Sequence, residues 1–453
     1  MTGTLALGID IGTSGVRCVV LDQDGDAVAS EGQAFADHAV DPRDPIGWGR
    51  LADTAMHAAL ATVDRNAVRA IAVDGTSGSV LAVDAAGTPV AAPLMYDDAV
   101  ADTDVLDRIA AIAPADTAAH GVTSGLAKAL LLQGAPGVAH VLHQADWMAG
   151  RLSGCWTVSD ENNALKTGYD AVARRWGDWI YASGIRPDLL PDVVPAGTVV
   201  GPIRRSLATR FGLSDDVRIV AGTTDGCASF LATGAKDIGD GVTVLGSSLT
   251  LKLLSDRPIV SPEHGIYSHR IAGGWLVGGA SNTGGRVLAA YFGADQLTAL
   301  SSRIDPDRAA RLDYYPLLAK GERFPVADPG KSPRLSPRPT SETDFLHELL
   351  AGIAAIEAQG YARLQALGAP ALRSVHSVGG GAGNPIWTAM RQRTLAVPFL
   401  PARSHEAAAG AARLALLAIT PSRTGSDRNQ IDPHVRSNRQ EAPVGVPKIR
   451  GEA

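Results

Sequence analysis

The chain has 453 residues, 45% hydrophobic and 19% charged, with a formal net charge of −6. That balance excludes a disordered polymer, and the length predicts two or three domains. There is no basic footprint for nucleic acid or anionic membrane, no apolar run of membrane-spanning length, and no zinc-like spacing among the three cysteines, Cys18, Cys155 and Cys227.

Leu5–Ile9 and Val16–Leu21 read as short buried strands from their length and β-branched content. Between them, Asp10-Ile11-Gly12-Thr13-Ser14-Gly15 combines an acid, two glycines and two hydroxyls. A hairpin needs glycine for positive φ, but it does not need Asp, Thr and Ser together. Two readings of this turn stand. It is an ordinary hairpin tip, or a phosphate loop whose N–H groups and hydroxyls donate to oxygen while the carboxylate holds magnesium. Ala27–Phe35 supplies a third strand, and a helix is expected over Trp48–Val63. Arg69–Asp74 is a strand, followed by Gly75-Thr76-Ser77-Gly78 and a further strand, Ser79–Asp84. The segment PLMYDD, Pro93–Asp98, ends in two adjacent acids.

From Ala101 to about Leu152 the pattern is mainly helical, and Lys128, His143 and Trp147 read as core packing plus a solvated lysine. SDENNALKTGYD, Ser159–Asp170, clusters Asn162, Asn163 and Lys166; a cleft wall and a solvated loop are both open. The strand Val217–Ala221 runs into Gly222-Thr223-Thr224-Asp225-Gly226 and then a helix from Cys227. Asp225 at such a junction either points at a ligand or caps the helix. Gly241–Leu254 repeats the opening hairpin without the acid, with Gly246-Ser247-Ser248 at its turn. Two such devices predict two related domains that grip a polyphosphate from both sides, and no Walker-type loop is present. Beyond the sheet segment Gly265–Gly285 and an irregular GERFP stretch, a long helix is expected over Glu342–Leu367. The strand Ser374–Val378 then leads through Gly379-Gly380-Gly381-Ala382-Gly383-Asn384-Pro385 into the helix Ile386–Thr394. A glycine run there lets a flat ligand approach the backbone. Glu406–Leu417 is an Ala-rich helix suited to close packing, and 422–453 reads as a mobile tail.

GIDIGTSG, VAGTTDGCAS, TVLGSS, GERFP, VGGGAGNP and EAAAGAA, in this order, resemble the FGGY family of carbohydrate kinases from about Leu5 to Leu417. DGTSGSVLAVD, LMYDD, HQADW, SDENNALKTGYD and GGASNTGG look most like its D-ribulose kinase branch of cyanobacteria and plants. The resemblance implies α/β architecture with two actin-like (ribonuclease H-like) domains, 1–236 and 237–421, and sugar and Mg-ATP in the cleft between them. It implies Asp10 as the magnesium-associated acid, which also contacts substrate, and Gly12 and Thr13 as the first phosphate loop. Gly246, Ser247 and Ser248 match the second phosphate loop, and Gly380, Gly381 and Asn384 the adenosine side. Asp225 matches the catalytic base, and Ser77 and Asp98 the sugar contacts. Asp97, Val100 and Leu131 depart from the family pattern, where Asn, Arg and Trp are usual. The expected activity is ATP-dependent phosphorylation of a free ketopentose, D-ribulose first. The alternatives are another ketose or polyol (D-xylulose, a seven-carbon ketose) and an ATPase or nucleotide-binding regulator without sugar kinase activity. Sugar, ATP and Mg2+ are the expected partners, with no nucleic acid or membrane, in a reduced cytoplasmic setting where a homodimer is allowed.

Overall fold

The computed structural model describes residues 3–420, so the expected tail 422–453 lies outside the described residues. Two six-stranded sheets organise the chain. The first contains β1 (Leu5–Ile11), β2 (Gly15–Leu21), β3 (Ala27–Ala34), β4 (Val68–Gly75), β5 (Val199–Pro202) and β6 (Arg218–Thr224), in the order β5-β6-β4-β1-β2-β3. The second contains β7 (Asp240–Leu245), β8 (Leu249–Ser255), β9 (His269–Ile271), β10 (Gly274–Ser281), β11 (Ser374–Val378) and β12 (Phe399–Leu400), in the order β9-β10-β8-β7-β11-β12. In each sheet the leading strand (β1 or β7) pairs antiparallel with a hairpin partner on one side and parallel with a later strand on the other. The repetition foreseen from two glycine-and-hydroxyl turns is therefore a repetition of topology.

Burial follows position in the sheet. Every residue of the central strand β1 is buried, whereas the edge strand β3 has no buried residue. Parallel strands covered on both faces read as continuous apolar runs, as Val68–Val73 does apart from Arg69. Helix α1 (Pro45–Ala61) begins with Asp44 accepting from the Ile46 N–H and a proline at its first position, three residues before the expected start.

The region 101–152 is mainly helical, as expected, starting with the helix Thr103–Ile112, and has one interruption. It holds α2 (Gly125–Leu132) and α3 (Gln144–Ser153), but His140–His143 between them is a strand paired antiparallel with Val80–Val83. Tertiary pairing overrides local pattern at His140–His143, which gains a ladder with the strand already expected at Ser79–Asp84. The 25-residue helix α6 (Glu342–Ala366) and α7 (Pro385–Leu395) cover the second sheet, with α5 (Ala294–Ser301) beside them.

The last helix of each half is exchanged. Helix α4 (Asp225–Ala232), which follows the first sheet, places Cys227, Phe230 and Leu231 in a cluster with Val242, Leu254 and Leu276 of the second. Helix α8 (Ala407–Ile419), which follows the second sheet, places Ala408, Ala411 and Ala412 against Ala6, Ala70 and Ala72 of the first. The two helices cross backbone to backbone: a Cβ on Gly410 would fall 1.8 Å from the Ala228 carbonyl oxygen. A Cβ on Gly8 of β1 would fall 1.9 Å from the Ala408 oxygen. The small residues expected to permit close packing thus pack α8 onto the sheet at the other end of the chain.

Candidate active site

The β1–β2 turn is tighter than the sequence suggests. Asp10 and Ile11 belong to β1, and only Gly12–Ser14 lie outside the strands, with the Gly12 N–H donating to the Gly15 carbonyl at 3.0 Å. Thr13 and Ser14 are exposed, and the open Gly12 stands beside Asp10, so donors and carboxylate face the same space.

Parallel register places Asp74 of β4 directly beside Asp10. Asp10 is 6% exposed and Asp74 is fully buried, and neither Asp74 oxygen has a partner in hydrogen-bonding geometry. Burial raises the Asp10 carboxyl to about 6; Asp74 and Arg17 oppose the rise and the charge of Asp225 adds to it. Burial first, then Asp10, pushes Asp74 well above the carboxylate range. Confining like charges this way favours a proton or a cation between them. Among the described residues no group of three or more His, Cys, Asp or Glu side chains could hold a metal ion alone. Magnesium brought in with phosphates needs only one or two protein carboxylates, and Asp10 with the orphaned Asp74 behind it fits that demand. Sequence reasoning missed Asp74; its place opposite Asp10 is a matter of register.

Asp225 is the first residue of α4 but not its cap. The Thr224 hydroxyl accepts from the Cys227 N–H at 3.4 Å and does that work. The Asp225 carboxylate is thereby left half-buried and available, its Oδ1 accepting from the Gly226 N–H at 2.6 Å. Burial raises its pKa, while Lys252, the N–H groups of Gly226 and Ser77, and Lys166 pull it down. The Ser77 Oγ beside it is shielded and unpartnered. Lys252 reaches across from β8 and its ammonium donates to the Gly226 carbonyl, joining the second sheet to the helix that carries Asp225.

Asp98 is more committed than expected. Arg43 grips it with two hydrogen bonds of 2.6 Å, and Oδ2 also accepts from the Met95 N–H at 2.7 Å. A carboxylate offers about four acceptor positions, which leaves about one, on Oδ1, for a ligand hydroxyl. Arg43 thus pairs with Asp98 from another loop, where the family's usual arginine is replaced by the buried Val100. Asp97 is exposed at the lip of this loop, and Leu131 is exposed on the surface.

Ser159–Asp170 is a wall between the sheets, and the solvated-loop alternative is overturned. Asn162 and Asn163 are buried, and Asn162 donates to Thr223 Oγ1 and to the Arg270 carbonyl, each at 3.0 Å, while accepting from the Arg270 N–H. Lys166 donates to the Tyr267 hydroxyl. The solvated reading of Lys128 also fails: it is fully buried. His143 and Trp147 are core residues as expected, with burial lowering the imidazole to about 4.

In the second half, Gly246, Ser247, Gly380, Gly381 and Asn384 line one cavity of about 960 Å³ with apolar walls that include Leu297 and Ile386. Its shape depends on glycine. Gly379 has φ +84°, and a Cβ there would meet the Leu245 oxygen at 2.8 Å; Gly380 faces open space. The turn at 246–248 is held from behind, Gly246 and Ser247 carbonyls accepting from the Gly285 and Arg286 N–H groups at 2.8 and 3.0 Å. Glu322 of GERFP fixes the neighbouring turn by accepting from Ser281 Oγ at 2.6 Å and the Asn282 N–H at 2.7 Å. Asn384 caps α7 through the Trp387 N–H and donates to Ser301 Oγ at 2.9 Å, so it shapes the cavity wall. Ser248 is half-buried at the end of the turn and is not among the cavity's lining residues.

The structure therefore gathers Asp10, Ser77 and Asp225 in one acidic centre, and Gly246, Ser247, Gly380, Gly381 and Asn384 around one cavity. The cavity suits an anionic, partly flat ligand, and the acidic centre supplies a proton acceptor. Comparison with known proteins agrees. The profile of the N-terminal domain of the FGGY family of carbohydrate kinases matches residues 134–232, and that of its C-terminal domain matches residues 241–419. A xylulose kinase of Escherichia coli (strain K12) is 24% identical over 448 residues, covering 92% of this chain and 91% of the relative. An autoinducer-2 kinase of Yersinia pseudotuberculosis serotype O:3 (strain YPIII) is 25% identical over 445 residues, covering 88% and 82%. The crystal structure of a xyloylose kinase from Brucella ovis superposes with a TM-score of 0.77 at 23% identity, covering 91% of this chain and 90% of that one.

Proposed function

The chain belongs to the FGGY family of carbohydrate kinases, ATP-dependent enzymes of two actin-like domains that use Mg2+, and on that premise we propose that it phosphorylates the terminal hydroxyl of a free ketopentose, D-ribulose first. In this reading residues 1–236 form the sugar-binding domain and 237–421 the nucleotide-binding domain, apart from α8, which returns to the first sheet.

Asp225 is the proton acceptor. The observation that carries this assignment is that Thr224 caps the helix, leaving the Asp225 carboxylate beside the unpartnered Ser77 hydroxyl. Ser77 and the remaining acceptor position of Asp98 orient the sugar. Thr13, Ser247 and Ser248 donate to phosphate oxygens, Gly12 and Gly246 leave room for the phosphates to approach the backbone, and Gly380, Gly381 and Asn384 form the adenosine wall. Asp10, backed by Asp74, would hold magnesium, which when bound neutralises phosphate charge. Phosphoryl transfer passes through a loose transition state, so positioning and electrostatics supply most of the catalysis. An alcohol is a weak acid, and Asp225 helps late, as its proton becomes acidic. Lys252 and Lys166 favour the ionised carboxylate that this task requires.

D-ribulose is supported by the DGTSGSVLAVD, LMYDD and SDENNALKTGYD segments and their resemblance to the D-ribulose kinase branch. D-xylulose is the second reading, favoured by the full-length similarity to a xylulose kinase. An ADP-coupled assay over ketopentoses, seven-carbon ketoses and polyols tests both, with Asp225→Asn as blank. D-ribulose should give the highest kcat/KM. A higher value for D-xylulose replaces D-ribulose in the reading, and ADP release that no acceptor stimulates overturns it.

A further inference from the structure

Lys128 is a cation where none is expected. It lies on α2, fully buried, and Nζ donates to three backbone carbonyls: Gly78 at 3.0 Å, Met95 at 2.6 Å and Tyr96 at 3.2 Å. Gly78 ends the turn that carries Ser77, and Met95 and Tyr96 begin the loop that carries Asp97 and Asp98. The two segments also meet where the Tyr96 N–H donates to Ser79 Oγ at 2.9 Å and where the Val80 and Leu94 backbones pair. Beneath them, Thr76 is fixed through its N–H and hydroxyl to Gln144 Oε1 at 2.9 and 2.7 Å. One side of the joint is thus tied to α3; the other is held by the lysine, by Ser79 and, through Asp98, by Arg43, and of these the lysine alone bonds both segments through their backbone carbonyls.

We propose that Lys128 is the positioning residue of the acceptor site, its ammonium clamping the Ser77 turn to the Tyr96–Asp98 loop so that both present their polar groups to one sugar. This rests on the acceptor assignment made above. The fit is one of valence. An ammonium has three N–H donors and meets three carbonyls; a neutral amine has two and leaves one carbonyl unsatisfied in the interior. The same clamp is therefore sensitive to charge. Burial lowers Lys128 to about 8, with Lys166 acting in the same direction and Asp98 and Asp97 opposing. His143 also faces this charge and, at about 4, stays neutral throughout the range concerned. The charged form prevails below about pH 8 and is lost above it, so the clamp loosens as pH rises.

The test uses full-length protein and whichever acceptor the panel assay selects. Lys128→Met should raise the acceptor KM about tenfold or more, while a fluorescent ATP analogue binds with unchanged affinity. In the unsubstituted protein the acceptor KM should stay flat to pH 7.5 and rise about tenfold by pH 9, as the competent fraction falls to about a tenth. That rise should vanish in Lys128→Met. A merely structural lysine would weaken nucleotide binding and acceptor binding together. Unchanged acceptor KM in a folded Lys128→Met protein overturns the proposal, as does a flat acceptor KM from pH 7 to 9.5 in the parent should the variant fail to fold. If the parent protein phosphorylates no acceptor, it is the kinase reading above that falls.

Discussion

Gly410→Ala opposes two physical effects with a predictable winner. Gly410 is the fourth residue of α8, and inside an isolated helix alanine is favoured over glycine by about 1 kcal/mol. On helix propensity alone the substitution stabilises. In the folded chain, however, the new methyl would sit 1.8 Å from the Ala228 oxygen and 2.5 Å from its carbonyl carbon. Ordinary contacts lie near 3.4 Å, so the two helices must part by roughly 1.5 Å. The atoms in the way are backbone and cannot swing aside. The facing layer of Ala408, Ala411, Ala412, Ala70 and Ala72 is fully buried and would open with them. Overpacking of this kind costs about 1–3 kcal/mol and sometimes more; with a displaced backbone the upper end is expected, for a net loss of about 2 kcal/mol after the propensity gain. Urea unfolding followed by far-UV circular dichroism reads this as a lower midpoint at unchanged slope. Turnover should fall as well, since Asp225 opens α4 only three residues before Ala228. A midpoint at or above the parent's would refute the close crossing of α4 and α8.

Asp225→Asn should lower kcat by at least about a hundredfold with little change in sugar KM, because general-base help is commonly worth roughly 10²–10⁴-fold; steady-state kinetics with near-normal turnover would remove Asp225 from its role. Glu357→Gln should cost about 3–5 kcal/mol in urea unfolding, because Arg391, fully buried, holds Glu357 with two bonds of 2.6 Å and would be left unpaired. Replacing both Glu357 and Arg391 by apolar residues of similar volume should cost much less, and equal losses would count against a buried pair. Asp10, raised to about 6 in the fold from 3.8, contributes stability that is complete below pH 3.8 and lost as pH rises through about 6. Asp10→Asn should flatten the stability profile between pH 4 and 6, by up to about 3 kcal/mol, and an unaltered slope would show that Asp10 titrates normally.

Local chemistry alone determined a good deal here. The strand Ser374–Val378 and the start of the helix at Glu342 stand where periodicity and flanking residues put them. Glycine-and-hydroxyl turns at 12–15 and 246–248 follow from residues that are neighbours in sequence, and so does the glycine run before α7. Such features are legible because their causes lie within a few residues: alternation, capping, the absence of Cβ. Other features depend on partners far along the chain. The sequence reading left Lys128 solvated, and only the fold brings Gly78, Met95 and Tyr96 around it. Asp74 acquires meaning only from the register that sets it against Asp10, as Arg43 does from Asp98 and Asn162 from Arg270. No local pattern records that the last helix of each half packs on the other half's sheet. An alanine-rich helix announces that something will approach closely, but which backbone does so is decided by topology, where burial of many weak contacts outweighs any preference the segment has alone.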